Sequence, residues 1–289
     1  MSQSINTNLV SLNAQRNLSS SQSALSTSMQ RLSSGLRVNS AKDDAAGLAI
    51  AERMSAQSRG MSVAMRNAND AISLAQTAEG ALGKVGDIFQ RMRELAVQAA
   101  NGTNGVADRV SLNEEFNQLA QEATRTLGGT RFNGQSILAT TTASTFQIGA
   151  NNTTDLDRIS VSAFAWSANT GLTAVLGSVV LTGAGTAAMS LTGTDATGAL
   201  TALGGIDAAL TSINSQRATF GAVQNRFDNV VANLMVANEN QSAARSRIMD
   251  ADYASETANL SRASILQQAG NAMVAQANQL PQQVLALLR

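Results

Sequence analysis

The sequence predicts a mainly α-helical protein: a long, coiled-coil-like helical hairpin that carries a small β-hairpin region and a small Gly/Thr-rich insertion at its distal end. Apolar residues recur at alternating spacings of four and three over most of the chain, which is typical of packed helices. The 289 residues include a single proline, so helix breakers are almost absent. The pattern changes to strict alternation only near the middle, which favours half-buried strands there.

Three helices are predicted before the middle of the chain. Region 1–36 is rich in Ser, Asn and Gln and has a narrow apolar seam, as thin coiled coils do. Region 43–100 continues the spacing, with Glu79 as its polar break, and ends at the Asn- and Gly-rich segment 101–105. Region 106–128 repeats the spacing. The seam residues predicted in the first region are Leu25, Met29, Leu32 and Leu36.

The middle of the chain carries two hairpin signals and then an insertion. Phe132-Asn133-Gly134 predicts a tight turn, and the alternating segments 146–148 and 159–161 predict strands. Segment 166–205 is almost free of charge and rich in Gly, Thr and Ala. We expect a small β or loop insertion there, because about 40 residues are too few for an independent core.

Two helices are predicted after the insertion. Region 206–248 has heptad spacing, which Arg217 and Gln224 interrupt, and region 252–289 has a thin seam of small and apolar residues. We expect this seam to pair with region 1–36. Two thin helices bury little surface, so the pair is expected to be disordered in the monomer and to order on joining neighbouring chains. The seam residues predicted in the last region are Leu266, Met273, Leu280, Val284 and Leu287.

The same pattern divides the chain into three parts. Segments 1–43 and 251–289 form a terminal coiled-coil domain, and segments 44–165 and 206–250 form a long-helix bundle with β-hairpins. Segment 166–205 forms a small variable surface insertion.

The composition excludes most enzyme chemistry. The chain has no Cys and no His, so it lacks thiolate and imidazole nucleophiles, bases and metal ligands. Paired acids such as Asp43 and Asp44 are interpreted as helix caps. We therefore expect no enzymatic activity, no cofactor and no metal site. A net charge of zero and 3% aromatic residues argue against a nucleic-acid partner, and no apolar stretch is long enough to predict a membrane span.

One charge-dense group, at 90–95, contrasts with a chain in which only 14% of residues are charged. A solvated helix face is the simpler interpretation, but we favour a contact surface between subunits. Together with the thin terminal seams, this group indicates a structural protein that assembles.

Three long motifs occur in order along the chain. They are RLSSGLRVNSAKDDAAG at 31–47, QRMRELAVQAANGTN at 90–104 and SRIMDADYASETANLSRASILQQAGNAMVAQANQLPQQVLALLR at 246–289. They resemble the corresponding motifs of bacterial flagellin, and the resemblance covers about 1–165 and 205–289. The departure is in the middle, where larger flagellins carry outer domains and segment 166–205 can hold only a small remnant.

The resemblance implies a structural subunit that self-assembles into the bacterial flagellar filament for swimming motility. In that family the terminal segments form an inner tube, the long helices form an outer tube, and the middle segment faces outward. The resemblance also implies a secreted, extracellular protein that leaves the cell unfolded through the flagellar type III apparatus. Its partners would be other copies of itself, the flagellar cap and hook–filament junction proteins, and an export chaperone bound at the C-terminal helices. A hook–filament junction protein is the alternative.

The resemblance further implies that the monomer is a ligand of the vertebrate innate immune receptor TLR5. Arg91 and Leu95 match receptor-binding positions of the family, and Glu115 matches a third. In the family this surface also makes subunit contacts along the filament, which agrees with the interpretation from charge. The contact residues predicted here are Gln90, Arg91, Arg93, Glu94, Leu95, Gln98 and Glu115.

Overall fold

The computed structural model describes residues 7–153, 156–177 and 189–286, with side chains as far as residue 279. The described chain is mainly α-helical, as the sequence predicts. Its helices are α1 (Leu9–Ser34), α2 (Ala45–Ala99), α3 (Val106–Gly129), α4 (Thr170–Leu176), α5 (Thr197–Met249) and α6 (Tyr253–Ala286), with a short 3-10 helix at Trp166–Ala168. Its strands are β1 (Arg131–Phe132), β2 (Gln135–Ser136), β3 (Ser144–Gln147) and β4 (Arg158–Val161).

The strands form two separate antiparallel hairpins, which confirms the sequence prediction. Strand β1 pairs with β2, with Phe132 opposite Gln135, so Asn133 and Gly134 make a two-residue turn. These two residues have φ angles of 48° and 79°. A type I′ turn requires positive φ at both positions, and Asn-Gly is the pair that adopts it most readily. Strand β3 pairs with β4 over its whole length.

The chain forms two compact units. One contains the residues up to Ser58 together with those from Glu239 onward, and the other contains Arg59–Asn238. Helices α2 and α5 contribute residues to both. These units do not test the predicted division into inner-tube, outer-tube and surface segments, which stays a prediction.

The core of the Arg59–Asn238 unit is built on one heptad face of α2. Helices α3 and α5 and the β3–β4 hairpin supply the opposing residues. The Phe146 ring of β3 meets Phe227 of α5 edge-on, with 5.7 Å between the ring centroids. The α2 face begins with alanines and has larger residues from Leu82 to Met92, so neighbouring helices can approach closely over its first half. Its buried residues are Ala64, Ala68, Ala71, Ala75, Ala78, Leu82, Val85, Phe89, Met92, Ala96 and Ala99.

The polar breaks in the predicted seams lie one position away from the buried faces. Ala78 takes the core position on α2 and Glu79 beside it is half-buried. On α5, Val223 packs against the core, Gln224 is half-buried and Arg217 is exposed. One residue turns a helix by about 100°, so adjacent residues face different neighbours. On α2 the seam therefore remains apolar beside Glu79, whereas on α5 the half-buried Gln216 lies between the buried Ile213 and Phe220.

The described part of segment 166–205 is helical at 166–168, 170–176 and 197–205 and irregular at 189–196, so it is only in part the β or loop insertion that the sequence predicts. Helix α4 begins after Asn169, whose Oδ1 accepts hydrogen bonds from the backbone N–H groups of Gly171 and Leu172, at 3.1 and 3.3 Å. Helix α5 begins at Thr197, because the heptad continues backward from residue 206. The buried residues of these additional helical turns are Leu172, Val175, Leu176, Ala199 and Ala202.

Candidate functional site

The terminal helices α1 and α6 form an antiparallel pair, called here the terminal pair. Asn8, the N-cap of α1, donates from Nδ2 to the carbonyl of Ala277 near the end of α6, at 2.7 Å. At the opposite end, the Tyr253 hydroxyl donates to the carbonyl of Leu32, at 2.9 Å. The paired conformation agrees with the predicted pairing, and the expectation that the pair orders only on joining other chains stays a prediction.

The seam of the terminal pair consists largely of small and polar residues. Ser11 donates from Oγ to Asn278 Oδ1 at 2.7 Å within it. Gly270 lies against Leu18, and a Cβ added to the glycine would be 3.1 Å from Leu18 Cδ1. The helices thus approach closely and bury few large side chains. Buried or half-buried seam residues are Ser11, Leu18, Leu25, Ser28 and Leu32 of α1, and Glu256, Ala263, Gly270 and Ala277 of α6.

An ion pair lies at one end of this seam. Arg31 Nη1 is 3.9 Å from Glu256 Oε2, and the Glu256 side chain is only 9% exposed. Glu256 is in the first turn of α6, where a carboxylate also interacts favourably with the helix dipole. The sequence analysis singled out neither residue.

Several predicted seam residues do not face the partner helix of the same chain. Met29, Leu266 and Met273 are 56%, 51% and 56% exposed. On α1 the buried position is Ser28, so Met29 points elsewhere. The structure thus separates the predicted seam into a covered part, with Leu25 and Leu32, and an uncovered part. Leu36 is half-buried beyond α1, and Leu280, Val284 and Leu287 lie outside the described side chains.

Further apolar residues of the terminal pair are uncovered as well. Leu9 and Leu12 of α1 are 70% and 49% exposed, and Ile265 of α6 is 66% exposed. Surface apolar residues are ordinary when they are scattered singly. Here they recur on two helices whose own contact is mainly small and polar. The terminal pair therefore has apolar surface that none of the described residues covers.

A second surface, called here the charged patch, lies where α2 meets α3. Arg91 donates from Nη1 to Glu94 Oε2 at 2.8 Å, and from Nε and Nη2 to Glu115 Oε1 at 3.0 and 2.9 Å. These hydrogen bonds raise the pKa of Arg91 above its ordinary value, with the bond to Glu94 as the largest cause and the bond to Glu115 next. All three side chains are about half exposed or more. The structure therefore brings Arg91, Glu94 and Glu115 together on an accessible surface.

The remaining predicted contact residues divide between this surface and the core. Arg93 donates from Nε to Asp207 Oδ1 of α5 at 2.8 Å, and this bond raises the pKa of Arg93. Gln90 and Gln98 are exposed on α2. Leu95 is a core residue with 1% exposure, because it follows the buried Met92 by one helical turn, so it does not contribute to the exposed patch.

Asp207 is a functional candidate that the sequence analysis missed. Its distance from Arg93 along the chain left no local spacing that could have revealed the pair.

The described residues contain no cluster of acidic residues that could hold a metal ion. Within the same ranges, every helix is too short or too polar to cross a lipid bilayer. These two findings concern only the part of the chain that the structure describes.

Comparisons of the sequence with family models and with known proteins both match flagellins. Residues 5–143 match the model of the bacterial flagellin N-terminal helical region, and residues 203–288 match that of the C-terminal helical region. The chain is 46% identical to a flagellin of Halalkalibacterium halodurans over 290 residues, which covers 99% of both chains. It is 37% identical to Flagellin A of Vibrio cholerae over 379 residues, with both chains fully covered. The crystal structure of Bacillus cereus flagellin is 34% identical and matches with a TM-score of 0.47, covering 58% of this chain and 88% of that one.

Proposed function

The chain belongs to the bacterial flagellin family, and we propose that it polymerises through the apolar surface that its terminal helices leave uncovered. Flagellins are structural proteins of the extracellular flagellar filament and not enzymes. The observation that carries the proposal is the exposure of Met29, Leu266 and Met273 on two helices that already pair with each other.

Burial of these side chains between copies would stabilise the filament. Fully burying one exposed Leu or Met side chain contributes about 1.5–3 kcal/mol, and covering a side chain that is already half covered contributes about half as much. The seam of the terminal pair holds little apolar surface of its own, since Ser11, Ser28 and Ala277 are among its buried residues. Neighbouring copies would therefore stabilise the pair while they join subunits. A contact that joins two different surfaces repeats from subunit to subunit. It gives a helical polymer when the rotation between successive subunits does not close a ring.

The same features support a route of export in the unfolded state through the flagellar type III apparatus. The chain has no cysteine, so no disulfide has to be broken or avoided during passage. A terminal pair with little apolar seam requires little free energy to unfold. An export chaperone would cover the exposed apolar residues of α6, including Ile265, Leu266 and Met273, before passage. The flagellar cap and the hook–filament junction proteins would contact the terminal helices at the two ends of the filament.

The charged patch is proposed as a second contact surface, used along the filament and by the receptor TLR5 on the monomer. Arg91 and Glu115 hold each other in place and remain accessible, which reduces the entropy that a partner must overcome on binding. Leu95 would support the patch from the core instead of touching the partner.

The test is seeded polymerisation of purified monomer, followed by negative-stain electron microscopy. We expect long tubes from the unsubstituted protein and none from the double variant Leu266→Ser/Met273→Ser. The matched control is Leu156→Ser, which changes a leucine that is 78% exposed outside the terminal helices. Circular dichroism of the monomers checks that all three remain helical.

The outcomes separate this proposal from the alternative. A hook–filament junction protein joins the filament to the hook, so it would bind to seed ends without elongating them into long tubes. Elongation that is unaffected by the double variant would show that the contact lies elsewhere in the chain.

A further inference from the structure

We propose that Met29 and Met273 make filament growth sensitive to oxidation, because a hydroperoxide converts them to methionine sulfoxide in the free monomer. This inference rests on the proposed polymerisation through the terminal pair. It adds a modification site and a regulatory consequence to that contact.

Exposure selects these methionines from the others that the structure describes. Met29, Met235 and Met273 are 56%, 57% and 56% exposed, whereas Met92 and Met249 are 0% and 7% exposed. The remaining described methionines are half-buried. Oxidation of methionine requires that the oxidant reach the sulfur, so the three exposed residues should react first.

The chemistry is a two-electron oxygen transfer. With hydrogen peroxide, a lone pair on the thioether sulfur attacks one peroxide oxygen and the O–O bond breaks. The proton on the attacked oxygen passes to the hydroxide that leaves, which gives the sulfoxide and one water molecule. The sulfide is oxidised to a sulfoxide and the peroxide is reduced. Methionine sulfoxide reductases of the A and B types reverse the change, one for each sulfoxide epimer, with electrons from thiols.

The location of the two residues determines the consequence. On α1, Ser28 lies on the face covered by α6, and Met29 is the next residue. On α6, Gly270 lies on the face covered by α1, and Met273 follows it by about one helical turn. Neither methionine is buried in the terminal pair, so the oxidised monomer should keep its helices. Both belong, with Leu266, to the uncovered apolar residues of the terminal pair that neighbouring copies would cover.

Oxidation would therefore affect assembly without unfolding the chain. A sulfoxide is polar, so burying it between subunits costs free energy that burying the thioether does not. We expect seeded elongation to slow by about tenfold or more when both residues are oxidised. Subunits already in the filament should be protected, because the sulfur atoms are then covered.

The experiment treats purified monomer with hydrogen peroxide, follows each methionine by peptide mass mapping, and measures elongation from seeds. Leucine has nearly the same volume as methionine and cannot be oxidised, so Met29→Leu/Met273→Leu is the protected variant. Met235→Leu is the matched control, since it removes an equally exposed methionine of α5. We expect the protected variant to keep its elongation rate after peroxide and the control to lose it. Treatment with both reductases should restore growth of the unsubstituted protein.

Two results would overturn the inference. One is a protected variant that loses elongation as fast as the unsubstituted protein. The other is equal oxidation rates of Met29 and Met273 in monomers and in filaments. Failure of untreated protein to elongate would instead refute the proposed function, and the untreated sample in every series separates the two cases.

Discussion

Gln224 of α5 donates a hydrogen bond from Nε2 to Glu79 Oε2 of α2, at 2.9 Å. These are two of the polar residues that interrupt the heptad spacing of the long helices, and their side chains are hydrogen-bonded to each other. A part-buried amide and carboxylate that meet in this way satisfy each other at the edge of the core. The pair therefore fixes which residues of α2 and α5 lie opposite each other.

The first prediction concerns this pair. Glu79→Ala should lower the free energy of unfolding of the Arg59–Asn238 unit by about 1 kcal/mol, because Gln224 loses its partner while it remains half-buried. Replacing both residues by leucine should be neutral or stabilising. Urea unfolding can be followed by the fluorescence of Trp166, the single tryptophan of the chain, which is 2% exposed in this unit. Gln241→Ala is the control, since its hydrogen bond to Gln57 is exposed and should contribute little.

The part of the fold that the sequence could predict depends on how far apart along the chain the interacting residues are. Heptad spacing predicted the long helices, and Asn133-Gly134 predicted its hairpin, because both signals are local. Spacing did not show that Ser28 and not Met29 faces α6, since polarity alone would place the serine outside. That choice depends on how closely two helices can approach, which only the packed pair reveals. Helix α4 did have a local signal, the capping Asn169, which composition concealed.

The second prediction concerns Arg109, which is 3% exposed at the start of α3. Its Nε donates to the carbonyl of Ala99 at the end of α2, at 3.0 Å, and its Nη1 donates to that of Gly193, at 3.2 Å. Arg109→Ala leaves these acceptors unpaired and should lower the free energy of unfolding by about 2–3 kcal/mol. Arg109→Lys should lower the free energy of unfolding less than Arg109→Ala does but should not restore it, because an ammonium lacks the forked donor geometry of a guanidinium. The same Trp166 fluorescence assay measures both.

Hydrogen exchange gives an independent readout of the same change. The backbone N–H of Leu191 donates to Asn113 Oδ1 at 2.8 Å, next to the carbonyl that Arg109 holds. Its exchange should accelerate in Arg109→Ala. It should not change in Arg125→Ala, which removes an exposed arginine of the same helix. Unchanged exchange and stability in Arg109→Ala would show that water replaces the guanidinium without loss.

The third prediction concerns removal of segment 252–289. We expect the truncated protein to lose seeded polymerisation, because α6 carries much of the uncovered apolar surface. The Arg59–Asn238 unit should remain folded, since its core is formed by α2, α3, α5 and the hairpins. Circular dichroism and Trp166 fluorescence check this expectation. Complete loss of helix on truncation would show that the unit depends on the terminal pair.

The fourth prediction concerns the charged patch. Arg91→Ala should leave the unfolding midpoint nearly unchanged, because exposed ion pairs contribute little to stability. It should nevertheless weaken both filament assembly and receptor signalling, since the loss of the guanidinium frees Glu94 and Glu115 and leaves their negative charges uncompensated on the proposed contact surface. Swimming in soft agar and a TLR5 reporter assay measure the two effects. Arg125→Ala is the matched control, because Arg125 forms a comparable exposed pair with Glu122 elsewhere on α3. If Arg91→Ala behaves like this control in both assays, the patch contacts neither partner. The charged residues at 90–95 would then form only a solvated helix face, which is the simpler interpretation of the sequence.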